Sequence, residues 1–158
     1  MNSQNKFMKA AIKEALKGLE QGGIPIGSVL VYRNKIIGYG YNQRIQKGSV
    51  ILHAEMDALE NAGRLPASEY RKSSIYTTLS PCPMCTGAIL HYGIPSVIIG
   101  ENKNYMGDED LLRSRGVKTE VLQNAECIKL MKDFIRKNPG RILIKRSIIS
   151  IRHKKSGS

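Results

Sequence analysis

Two short segments of this 158-residue chain hold residues whose types and spacing could do chemistry, His53-Ala54-Glu55 and Pro81-Cys82-Pro83-Met84-Cys85. A C-x-x-C pair at the start of a helix can bring both sulfurs onto one ion, and the helix N-terminus favours thiolate over thiol. Adding the His53 imidazole completes three zinc ligands. A fourth position left to water marks a catalytic zinc rather than a closed structural one. Glu55 lies two residues beyond His53, near enough to reach a zinc-bound water without ligating the metal. Zinc brings the pKa of such a water toward neutrality, and a carboxylate can then take its proton and return it elsewhere.

Other uses of these residues fit less well. A thioredoxin-like redox pair leaves Glu55 idle, and a structural zinc ribbon needs a fourth Cys or His nearby. Cys127 sits in a helical apolar stripe and reads as core. His91 ends a helix, where the dipole favours it, and His153 lies in a basic tail, so neither receives a role.

The elements that must position the two segments follow from periodicity. Met8, Ile12, Ala15, Leu16 and Leu19 recur at helical spacing and predict an amphipathic helix that stops at Gly22-Gly23. Ser28 to Tyr32 and Ile36 to Tyr41 predict a hairpin around Arg33-Asn34-Lys35, followed by an irregular stretch, 42–49. A helix is expected from His53 to Asn61, stopping near Gly63. The strand 75–79, the helix 83–91 with Pro at its first turn, and the strand 97–99 make a βαβ unit. Its topology sets the Ser80-Pro81-Cys82 turn at the carboxyl end of a strand, where α/β sites form. A helix over 109–114, a strand over 117–122 and a helix capped by Asn124 complete the domain. That last helix carries Cys127, Ile128, Met131, Phe134 and Ile135 inward and ends at Pro139-Gly140. The order implies a layered α/β fold with a mixed sheet and helices on both faces.

Composition limits the alternatives. With 41% hydrophobic and 24% charged residues the chain belongs to one globular domain, too short for two. Its net charge of +12 raises nucleic acid or an anionic surface as a partner. The excess is not spread evenly. Residues 1–135 hold 17 basic and all 13 acidic residues, whereas 136–158 hold 8 basic and no acidic ones. A domain over 1–138 is therefore expected to precede a basic tail over 139–158, and any contact with nucleic acid or anionic surfaces to run through the tail alone. No run is long enough to span a membrane and the start is polar, so a cytoplasmic protein is expected. Three cysteines suit a reducing compartment.

The pattern H-x-E followed by P-C-x-x-C is a known zinc deaminase signature. Around it stand Gly22-Gly23-Ile24-Pro25-Ile26-Gly27, Asn42-Gln43-Arg44, Leu52-His53-Ala54-Glu55, Tyr76-Thr77-Thr78-Leu79-Ser80, Cys85-Thr86-Gly87-Ala88-Ile89 and Gly100-Glu101-Asn102. With these residues the sequence resembles the zinc-dependent cytidine/deoxycytidylate deaminase superfamily, and within it the fungal-type cytosine deaminases, over roughly residues 7–137. The resemblance implies a three-layer α/β/α sandwich around a five-stranded mixed sheet, a homodimer, and one Zn2+ per subunit on His53, Cys82 and Cys85. It also implies Glu55 as proton shuttle and hydrolysis of cytosine to uracil and ammonia in pyrimidine salvage. By the same resemblance Asn42 binds the pyrimidine, Ser80 lies near the ligand carbonyl, Ile26 and Leu79 form apolar walls, and Tyr105 covers the base.

From the residues alone, Asn42 reads as a turn residue after a strand in preference to a base contact. At the C-terminus the sequence departs from the pattern. Leu143 stands where the family carries a Trp over the base, and Arg146 where it carries an Asp for the exocyclic amine. Deamination of tRNA adenosine, guanine or another nucleobase remains an alternative, as does a deaminase-like binding protein with an altered lid.

Overall fold

In the computed structural model, which describes residues 2–140, the chain opens with α1 (Ser3–Glu20). The Asn2 side chain accepts from the Asn5 N–H at 2.9 Å and satisfies one of the free amides of the first turn. The buried face of α1 is Phe7, Met8, Ala11, Ile12, Ala15 and Gly18. Leu16 and Leu19, assigned to that face by their spacing, are instead 42% and 37% exposed. Close backbone packing decides this. A side chain at Gly27 would meet the Ala11 carbonyl oxygen at 1.9 Å, so helix and sheet approach along the Ala11 to Ala15 line and the two leucines fall beside it.

The hairpin consists of β1 (Gly27–Tyr32) and β2 (Lys35–Tyr41). Arg33 and Asn34 join them at φ 50° and 61°, the backbone of a two-residue turn whose twist matches its strands. Two four-residue helices that periodicity did not predict, α2 (Arg44–Lys47) and α4 (Ala67–Tyr70), flank α3 (Ala54–Ala62). β3 (Ser73–Thr77) lies two residues earlier than the expected 75–79, and the rest follows expectation to within two residues: α5 (Pro83–Tyr92), β4 (Ser96–Ile99), α6 (Glu109–Ser114), β5 (Lys118–Val121) and α7 (Ala125–Lys137). Strand order is β2-β1-β3-β4-β5. β1 runs antiparallel to both neighbours, and β3, β4 and β5 are mutually parallel, as crossover helices require.

Alternate strand residues divide between two cores. Val29, Val31, Tyr76 and Ile98 pack against Phe7, Met8 and Ile12 of α1 and Cys127 of α7. Leu30, Ile75, Val97 and Ile99 face the other way, onto Ile89 of α5 and Leu112 of α6, with Leu59 of α3 beside them. The result is the expected three-layer α/β/α sandwich on a five-stranded mixed sheet.

Two devices draw α3 tightly onto the sheet. At Gly40 of β2 a side chain would meet the Ala58 nitrogen at 2.2 Å and the Ala54 carbonyl oxygen at 2.4 Å, so only glycine admits the helix there. Buried Asp57 accepts the Tyr41 N–H at 3.0 Å and ties the helix to the end of β2. Asn124 caps α7 by accepting the Cys127 N–H at 3.0 Å, and the helix ends at Lys137 with Asn138 as its C-cap. The basic tail from residue 141 onward, including Leu143 and Arg146, lies outside the described residues.

Candidate active site

His53 and Cys82 occupy the same structural position on different helices. Each is the extended residue just before the first helical turn, His53 at α3 and Cys82 at α5. Pro83 begins α5, where its missing N–H costs nothing, and the turn of helix that follows places Cys85 beside Cys82. The loop ahead of α3 is closed by the Gln43 N–H donating to the Leu52 carbonyl at 2.9 Å, which sets His53 close to Asn42. One ligand atom from each of His53, Cys82 and Cys85 lies within 4.8 Å of the other two. An imidazole and two sulfurs at that spacing form a donor set suited to tetrahedral zinc with one position open.

The two sulfurs have opposite proton affinities. A hydrogen bond from Cys85 holds Cys82 down to about 3 against its own desolvation, with the His53 contact at 3.3 Å adding in the same direction. The same bond, together with burial, pushes the Cys85 thiol far above the ordinary range. The pairing thus favours the thiolate at Cys82 over that at Cys85.

Glu55 is 4% exposed on the first turn of α3. The Thr77 hydroxyl, at the end of β3, donates to Glu55 Oε1 at 2.5 Å. Thr77 was not singled out in the sequence, because 22 residues separate it from Glu55 and only the sheet brings the two together.

A small cavity of about 10 Å³, room for roughly one water, is lined by Ile26, Asn42, His53, Ala54, Glu55, Leu79, Ser80 and Cys82. Seven of these eight residues were candidates from the sequence. Asn42 has both of the characters weighed for it: Oδ1 accepts the Arg44 N–H at 3.1 Å, a turn of the Asx kind, while the buried side chain lines the cavity. With Oδ1 so engaged, its Nδ2 is the group left to donate. Tyr105 packs against the cluster of Ile24, Ile26, Leu79 and Phe134 that walls the cavity. Burial raises its phenol pKa, with nearby acidic groups adding in the same direction.

Sequence reasoning missed two buried carboxyl groups behind this cavity. Glu101 accepts the N–H groups of Lys103 and Asn104 at 2.7 and 3.0 Å and the Asn104 side chain at 2.8 Å. Glu109 accepts the Ser80 hydroxyl at 2.7 Å and the Asn102 side chain at 3.2 Å. Gly100-Glu101-Asn102 was noted as a motif, but a carboxylate in a turn carries no sign of where its partners lie. Elsewhere, Cys127 is 1% exposed in the core, and burial raises its pKa to about 12, in keeping with a packing role. His91 lies away from the ligands, in an open groove of about 740 Å³ between α3, α4 and α5.

Residues 1–101 match the family described as the cytidine and deoxycytidylate deaminase zinc-binding region. The chain is 53% identical over 135 residues to a cytosine deaminase of Candida albicans, which covers 85% of this chain and 90% of the relative. To a tRNA-specific adenosine deaminase of Buchnera aphidicola it is 34% identical, over 85% of this chain and 95% of the relative. Among solved structures, a diaminohydroxyphosphoribosylaminopyrimidine deaminase/5-amino-6-(5-phosphoribosylamino)uracil reductase of Thermotoga maritima superposes with a TM-score of 0.70 at 29% identity, over 86% of this chain and 42% of that one.

Proposed function

The chain belongs to the cytidine and deoxycytidylate deaminase zinc-binding family, and on that premise we propose that it hydrolyses cytosine to uracil and ammonia. The observation that carries this reading is a small cavity in which Glu55, His53 and Cys82 meet Asn42 and Leu79. The 53% identity to a cytosine deaminase supports the choice of base.

His53, Cys82 and Cys85 would hold the zinc, and the lowered proton affinity of Cys82 favours the thiolate that binds it. When bound there, the ion supplies the acidity that makes a water molecule nucleophilic toward C4 of the ring. Glu55, whose Oε1 accepts from Thr77, takes one proton of the attacking water on Oε2 and delivers it to N3, then takes the remaining hydroxyl proton at C4 and delivers it to the departing amine. Asn42 orients the base through Nδ2. Ile26 and Leu79 flank the ring and keep out water, which strengthens every polar contact inside. Tyr105 covers the open side.

Homodimerisation, a cytoplasmic location and a place in pyrimidine salvage belong to the same proposal. Val50 and Ile51, 81% and 54% exposed just ahead of His53, offer apolar surface for a second subunit. The three cysteines are unpaired, as a reducing compartment keeps them. Among the described residues no helix is long and apolar enough to cross a membrane.

The test is ammonia release by the zinc-loaded chain from cytosine, cytidine, guanine, adenine and tRNA. Release from cytosine supports the proposal. Release from tRNA alone would favour the reading suggested by the 34% identical relative, and release from guanine alone would move the substrate to a purine.

A further inference from the structure

Ser80 lines the cavity, but its hydroxyl is engaged elsewhere. Its hydroxyl has one proton, which it donates to Glu109 Oε2 at 2.7 Å, and its oxygen accepts the Gly107 N–H at 3.0 Å. Its own N–H donates to the Glu101 carbonyl at 3.0 Å. The hydroxyl and the N–H of Ser80 are therefore committed to the segment that follows β4, and the hydroxyl has no proton to offer a ligand.

That segment, residues 102–108, carries Tyr105 and is fastened at both ends to one side chain. Asn102 donates to both Glu109 oxygens at 3.2 Å, and Gly107 reaches Glu109 through Ser80. Arg113 stands 3.6 Å from Glu109 Oε1 on the next turn of α6, and Glu109 itself is 3% exposed. A separate observation points the same way. A side chain at Gly107 would meet the Pro81 carbonyl oxygen at 1.7 Å and the Cys82 nitrogen at 3.4 Å, so the loop backbone lies directly on the turn that presents the metal-binding cysteine.

We propose that Glu109 is a positioning residue for the deamination: it locks the 102–108 loop onto the Ser80–Cys82 turn and so fixes Tyr105 over the cavity. Glu109 touches neither base nor metal. Its loss leaves ligands and proton shuttle in place and frees the lid, so the cost falls on holding substrate rather than on turning it over. The kinetic half rests on the cytosine reading, and the structural half does not.

The experiment compares wild type, E109A, E109Q and S80A in the full-length zinc-loaded protein by amide hydrogen exchange and by cytosine kinetics. In E109A and S80A the Gly107 amide exchanges about tenfold faster or more, while the Lys103 and Asn104 amides, held by Glu101, keep their protection. In E109A, KM for cytosine rises about tenfold, with kcat within about twofold and zinc content unchanged, while S80A, at a residue that lines the cavity, is read by exchange alone. E109Q retains an acceptor for the Ser80 hydroxyl and recovers most of both. S80A breaks the same lock without touching the buried carboxyl group, so it decides the matter if E109A fails to fold. Unchanged Gly107 exchange in S80A overturns the proposal, as does loss of zinc and kcat in E109Q. A wild type that does not turn over cytosine defeats the substrate reading, while the Gly107 amide still decides the lock.

Discussion

Thr77 Oγ1, on the last residue of β3, donates to Glu55 Oε1 on the first turn of α3 at 2.5 Å. The contact joins a parallel strand to the helix that carries the proposed proton shuttle, and it commits one carboxylate oxygen so that the other can act. In a T77V variant, which keeps the volume and loses the donor, kcat for cytosine should fall about tenfold or more with zinc content unchanged. Steady-state kinetics beside metal analysis checks this. An unaltered kcat would make the contact purely architectural.

Replacing the shuttle itself should do more. E55Q is expected to retain zinc and lose at least about a hundredfold in kcat, the usual contribution of a positioned acid–base group. Zinc loss in E55Q would instead mean that the carboxylate helps hold the ion.

Asn42 allows its two roles to be separated. N42D preserves an oxygen for the Arg44 N–H but replaces the Nδ2 donor, so the melting temperature should hold while KM for cytosine rises about tenfold or more. N42A should lose both. Equal stability loss in the two variants would show that the turn needs the amide itself.

Removing a sulfur should release the metal. C85S is expected to weaken zinc affinity by more than about a hundredfold and to lower the melting temperature, measured with a competing chelator and by calorimetry. A C127A protein should bind zinc like wild type, since Cys127 belongs to the core between α1, α7 and the sheet.

Cys127 also sets a pH dependence. Burial raises its folded pKa from 9.0 to about 12, so its contribution to stability is present in full below about pH 9 and is lost as pH rises toward 12, while the unfolded thiol ionises first. Relative to C127A, wild type should therefore lose about 2 kcal/mol between pH 8 and 10.5. Urea unfolding of both proteins across that range gives the difference. A gap that stays constant with pH would mean that the thiol ionises in the folded protein too.

Much of the site was legible because its chemistry is compact in sequence. His53 and Glu55 lie within three residues, Cys82 and Cys85 within four, and each pair sits at a helix start with its own local signals. Strands and long helices followed from periodicity and caps such as Asn124. What escaped depends on tertiary contact. Thr77 and Glu109 became functional candidates only when the sheet and α6 brought them to Glu55 and Ser80, 22 and 29 residues away in the chain. Leu16 and Leu19 had the right spacing, but the small residues Ala11, Ala15 and Gly18 set the contact line of α1. The short helices α2 and α4, at four residues each, have too few turns to establish a period.

The central claim is hydrolytic replacement of the cytosine amine at C4. It is tested most directly by incubating the zinc-loaded protein with cytosine in 18O-labelled water and following the product by mass spectrometry and carbon NMR. The expected product is uracil with one label, on the oxygen at C4, with ammonia in equal amount, both abolished in E55A. Cytosine recovered unchanged while tRNA or guanine releases ammonia, or an E55A protein that still makes labelled uracil, would contradict it.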